Sequence, residues 1–339
     1  MPVYLIVLAA VGAQADPPVE LSAAARIADS SFRGIAVRNK NEAWVGGSNG
    51  TVMTTRDGGA FWSVIKIAGS DGLDFRDIEL PAPDVVVAMA AGPGDKSKVF
   101  RSADGGKTWK LALQNKQAKG FFNAIAFWSA SDGLLVGDPL EGRLDLYRTS
   151  DGGTTWTPLP QASRPKLQDD EYGFAASGTN LSVSNDANAY IATGGSQARL
   201  LVSSDKGRTW NSRATPLTSG KDSTGVFSVA FKDAKHGIVV GGDYKQPETV
   251  NGNVAWTTDG GVSWKLVKQS PGIQHKACVR HFKKTQWMAA GRTGIIWSKD
   301  DGRSWTAVSD QSFYTFDVGP DGHGWLAGAD GRVARFRVR

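Results

Sequence analysis

One eight-residue pattern, Ser/Thr-x-Asp-x-Gly-x-x-Trp, returns six times along the chain, at 55–62, 102–109, 149–156, 203–210, 257–264 and 298–305. Successive starts lie 47, 47, 54, 54 and 41 residues apart. A repeat of this period means stacked supersecondary units, each too small to bury its own apolar face, so it constrains the fold before any local reading does. The pattern fits a tight link between two antiparallel strands. The aspartates (Asp57, Asp104, Asp151, Asp205, Asp259 and Asp300) can accept bonds from turn N–H groups. The glycine tolerates positive φ. The tryptophans (Trp62, Trp109, Trp156, Trp210, Trp264 and Trp305) open the next strand with a large side chain to pack between units. These Asp boxes are a folding device rather than a ligand site.

Each box sits in the same frame. In the first unit, Phe32–Val37, Glu42–Gly47 and Gly50–Thr54 read as three strands before the box, and Trp62–Lys66 as the fourth. The last unit has strands at Phe313–Val318, Trp325–Gly328 and Arg332–Val338, with no box after them. The stretch from Val19 to Ile27 is expected to supply its fourth strand and close the ring. The fold class is therefore all-β: a seven-bladed β-propeller with Asp-box turns, occupying residues 16–339 as a single domain, with no open sheet edges.

The N-terminus reads MPVYLIVLAAVGAQADPP. An apolar run followed by Ala-Gln-Ala predicts a signal peptide over residues 1–15, cut after Ala15, and a periplasmic or secreted protein. The run is too short to span a bilayer, so the chain is not itself transmembrane. The formal charge of +6 is scattered, which points to a solvated surface and not to nucleic acid. The single cysteine, Cys278, leaves no internal disulfide and reads as a buried thiol. The four histidines lack metal-ligand spacing, and no dinucleotide or phosphate loop is present, so neither metal nor cofactor is expected. A monomer is expected.

In an up-and-down blade, with strands A to D running outward, the box joins C to D. The start of A, the B–C loop and the D–A link then emerge at the other end. The long connections at 137–142, 159–171, 216–224 and 243–252 all fall there. Loops on a rigid scaffold are the usual seat of binding. Aligning the units puts Arg33, Arg76, Asn123, Phe227 and Tyr314 at the channel mouth, with Asp77, Asp138, Glu171, Asp243, Tyr244 and Arg292 nearby. Of these, Arg33, Arg76, Asp77, Asn123, Asp138, Glu171, Asp243, Tyr244 and Arg292 are the candidate binding residues, for a protein partner or a glycan. A catalytic reading stays open: Asp-box propellers include sialidases, which use an arginine cluster, a tyrosine nucleophile, a glutamate and an acid aspartate. Arg33, Arg76 and Arg292 could form the cluster, with Tyr314 or Tyr244, Glu171 and Asp138 as the reacting groups. However, Phe32-Arg33 is followed by Gly34-Ile35 and not by the proline of the sialidase segment.

Several segments resemble the bacterial propellers known as photosystem II stability/assembly factor-like proteins, some of which carry an oxidoreductase label. They are Ser31–Gly34, Gly47–Val52, Asp74–Glu79, Gly137–Pro139, Phe174–Thr179, Ser223–Gly225 and Gly241–Tyr244. The resemblance implies an exported, non-catalytic seven-bladed scaffold that binds a protein partner. In photosynthetic members that partner is a membrane-protein assembly intermediate met by an arginine-rich face, to which Arg33 and Arg76 would correspond.

Overall fold

A computed structural model describes residues 19–184 and 187–338. Seven antiparallel sheets follow one another along the chain. From the channel outward, blade 1 consists of Phe32–Val37, Ala43–Gly47, Val52–Thr55 and Ser63–Ile65. Blades 2 to 6 repeat this order, starting from inner strands Asp74–Ala82, Phe122–Phe127, Leu181–Ser184, Lys221–Phe231 and Cys278–His281. Blade 7 has Thr315–Val318, His323–Ala327 and Arg332–Val338. Its outermost strand is Val19–Leu21, paired Val19 to Val338 and Leu21 to Phe336, and Ala25–Arg26 joins the same edge. The predicted signal peptide, residues 1–15, lies outside the described residues. No helix among the described residues is long and apolar enough to cross a membrane.

The boxes are built alike in all six units. The first Ser or Thr hydroxyl donates to the aspartate and accepts the N–H of the box glycine, as in Ser102 Oγ to Asp104 at 2.8 Å and Gly106 N to Ser102 Oγ at 2.8 Å. The aspartate also accepts the N–H four residues on, Thr108 N at 2.9 Å in the same box. Led by the Thr108 hydroxyl bond, these donors hold the Asp104 carboxyl down at about 2. The turn also brings blades together. Trp62 packs with Trp325 and Val333 of blade 7, Trp109 with Trp44 of blade 1, and Trp305 with Ile238 and Val254 of blade 5. A side chain on Gly59 (φ +90°) would place its Cβ 2.2 Å from the Trp325 ring, so only glycine lets that ring seat.

The register fixes which end of a blade carries what. Thr55, where the first box begins, lies level with Ala43 and Val37, whereas Phe32 pairs with Gly47 at the other end. Blade interfaces are further tied by side chains on the inner strands. Asp77 accepts the Ile125 N–H (2.8 Å), Ser228 the Val279 N–H (2.9 Å) and Asp317 the Val37 N–H (2.8 Å). Asp77, placed among the binding candidates by sequence, is thus a buried tie between blades 2 and 3 and does not face the mouth cavity. Burial, and then Glu79, push its carboxyl well above the usual range. Arg280, 3.7 Å from Asp317, offsets this inner acidic group. Cys278 is a buried free thiol.

Candidate functional site

The mouth residues are aimed by a repeated irregularity. In blades 1, 2, 3 and 5 the inner strand slips by one residue against its neighbour near its start: between Phe32 and Gly34, Phe75 and Asp77, Phe122 and Ala124, and Val226 and Ser228. The extra residues are Arg33, Arg76, Asn123 and Phe227. A bulge leaves its extra residue out of the ladder and redirects its side chain. Here four bulges send four side chains into one cavity of about 400 Å³. A further slip between Gly137 and Pro139 brings in Asp138, and the turn after Gly291 brings in Arg292.

Three guanidinium groups share this space. Arg33 lies over the Tyr314 ring at 4.3 Å. Burial, and then the neighbouring Arg76, lower its pKa, yet a guanidinium remains charged. Arg76 is anchored by Asp74 (2.8 Å) and by the Ala175 carbonyl (3.1 Å). Arg292 forms no ion pair among the described residues. Facing them is Asp138, which accepts Asn123 Nδ2 at 2.8 Å and Gly173 N at 3.3 Å. Burial raises its carboxyl to about 6 against those donors. The cavity therefore carries an excess of positive charge.

The opposite wall is aromatic. The inner strand of blade 5 runs for 11 residues, and its first part rises above the blade to pair with Gly194–Gly195, which pairs in turn with Glu171–Tyr172. This small sheet carries Tyr172, whose hydroxyl donates to the Asp222 carbonyl. Phe174 lies across the glycines beneath: a Cβ on Gly194 would come within 2.2 Å of its ring. Phe174 stacks on Phe227 with centroids 3.9 Å apart, and Tyr244 meets both edge-on at 6.3 and 6.1 Å.

Of the sequence candidates, Arg33, Arg76, Asn123, Asp138, Phe227, Tyr244, Arg292 and Tyr314 line the cavity. Asp77, Glu171 and Asp243 do not. Glu171 is 1% exposed and spent on structure: it accepts bonds from Thr193 Oγ1 (2.6 Å), Gln168 N (3.0 Å) and both Arg199 donors. Asp243 holds its own turn by accepting Lys245 N at 2.9 Å. The tyrosine–glutamate pair of the hydrolase reading is thereby dismantled, because its glutamate is outside the cavity and already paired. Sequence reasoning missed Phe121, Tyr172, Phe174 and His275. The first three flank irregular connections with no periodicity to expose them. The available signals were the glycine density at 194–195 and 225 and, for Phe174, the resemblance of Phe174–Thr179.

The architecture is that of a closed seven-bladed β-propeller with a charged, aromatic-walled mouth. A family model described as Sortilin, neurotensin receptor 3, matches residues 144–272, less than half of the chain. The photosystem II assembly lipoprotein Ycf48 of a Synechococcus strain is 25% identical over 244 residues, 70% of this chain and 62% of that protein. The chain thus spans less than two thirds of that relative. The photosystem II assembly protein Ycf48 of Thermosynechococcus vestitus is 24% identical over 322 residues, 82% of each chain. Among solved structures, YCF48 bound to D1 peptide superposes with a TM-score of 0.70 at 16% identity, covering 96% of this chain and 99% of that one. YCF48 from Cyanidioschyzon merolae gives 0.67 at 19% identity, covering 93% and 99%. The chain is a seven-bladed β-propeller that resembles the photosystem II assembly factors.

Proposed function

We propose that this protein is an exported, non-catalytic scaffold that holds an acidic segment of a protein partner in the channel mouth, at the face opposite the Asp boxes. The carrying observation is the convergence of Arg33, Arg76 and Arg292 in one cavity, with Arg292 lacking any ion-pair partner among the described residues. Guanidinium groups in a recessed site are suited to carboxylates, which they bind through paired donors. A solved relative described as bound to a D1 peptide supports a peptide as the occupant. By the same resemblance, the partner would be an assembling membrane protein whose segment is presented outside the cytoplasm. The Glu171 ion pair weighs against the glycosidase alternative, since it takes up the carboxylate assigned to act with Asp138.

The test is co-purification from the native envelope with parent protein and with Arg33→Glu/Arg292→Glu. The parent is expected to retain a specific protein that the double variant loses while keeping its melting temperature. Equal recovery by both would reject the mouth as the docking site.

A further inference from the structure

The arginines account for one half of the cavity; the other half has a different chemistry. It is walled by Phe174, Phe227 and Tyr244, and its polar member is His275, which meets the Phe227 ring edge-on at 4.6 Å. His275 is 3% exposed and lines the cavity, yet neither ring nitrogen has a hydrogen-bond partner among the described residues. The buried Oδ1 of Asn123 is likewise unpartnered. Burial, reinforced by Lys276 and Arg292, drops the histidine pKa to about 4, so the imidazole is neutral at neutral pH. A neutral imidazole offers one donor and one acceptor.

We propose that this half is a pocket for an aromatic side chain that carries a hydrogen-bond donor, tyrosine or tryptophan, adjacent in the partner to the acidic residue held by the arginines. The stacked and edge-on rings select a flat group over an aliphatic one. The three guanidinium groups repel lysine and arginine. The unpartnered His275 acceptor favours a hydroxyl or indole N–H over a bare phenyl ring, which would leave that acceptor unpaired. This inference rests on the reading of the mouth as an acidic-segment site and assigns that segment its second determinant.

The experiment uses four blocked peptides of equal length, with Asp-Tyr, Asp-Phe, Asp-Leu or Ala-Tyr at the centre, titrated calorimetrically into the mature chain and into His275→Phe. For the parent, the Asp-Tyr peptide should bind about 2- to 12-fold tighter than Asp-Phe, the span of one net hydrogen bond. In His275→Phe that ratio should fall to about one. Tyr244→Ala, which removes part of the wall without touching His275, should shrink the preference of Asp-Phe over Asp-Leu, and it keeps the question answerable if His275→Phe does not fold. Equal binding of the three Asp peptides would overturn the aromatic pocket while leaving the arginine reading intact. Equal binding of Asp-Tyr and Ala-Tyr, or none by any peptide, would overturn both. So would tighter binding of a free sugar acid than of every peptide.

Discussion

At the scale of single residues, the mouth is controlled by a few groups whose environment sets their charge. Asp138 lines the cavity together with the three arginines, and burial raises its carboxyl to about 6. Its ionised form is disfavoured in the fold, so the native state gains relative stability as pH falls through about 6, while an unfolded aspartate would stay ionised to about 3.9. The same protonation takes one negative charge out of the cavity lining. Capture of an acidic peptide should therefore strengthen between pH 7.5 and 5, and Asp138→Asn should bind as the acid form does at both. Peptide titrations across that range check this; a flat profile for the parent would refute it. The box aspartates work in the opposite sense. The Asp104 carboxyl, held down at about 2 by the Thr108 hydroxyl and N–H bonds, favours the fold above its unfolded value and gives that up as pH drops toward 2. Acid unfolding of Asp104→Asn should be less steep over that interval than for the parent.

At the scale of elements, the box tryptophan does more than close a turn. Trp305 is buried against Ile238 and Val254 of the preceding blade, and Trp305→Ala should cost about 3–5 kcal/mol in urea unfolding. A loss below 1 kcal/mol would mean that the interface repacks. Repeat period, strand frame and box chemistry were legible because they recur, and recurrence is visible in one dimension. Alignment of the units also reached Arg33, Arg76, Asn123 and Phe227, although the slips that aim them left no mark in the strand alternation. The aromatic wall was not legible. It stands on an extension of blade 5 paired to two short segments, a contact between units that breaks the repeat. Nor could spacing tell a carboxylate at the mouth from one spent inside it: Glu171 and Asp138 lie on similar connections, and only the Arg199 pairing separates them.

At the scale of the molecule, closure rests on two short segments at one edge, Val19–Leu21 and Ala25–Arg26, laid against Arg332–Val338. Their loss would expose an apolar strand edge, which invites pairing with another chain. A chain starting at Ile27 should melt earlier and self-associate in light scattering, whereas a Glu20→Cys/Arg337→Cys disulfide across the exposed paired positions should raise the melting temperature. The ring below the mouth is held by box turns, interlocking tryptophans and inner-strand ties, none of which uses a bulged side chain. Arg33→Ala and Arg76→Ala, which remove a ring contact and an Asp74 ion pair but no part of that framework, should accordingly cost less stability than Trp305→Ala. Each slipped strand thus offers a position that selection can exchange at little cost to the scaffold. A lineage could acquire a new client by substituting one letter per blade, and the ring would remain the same ring.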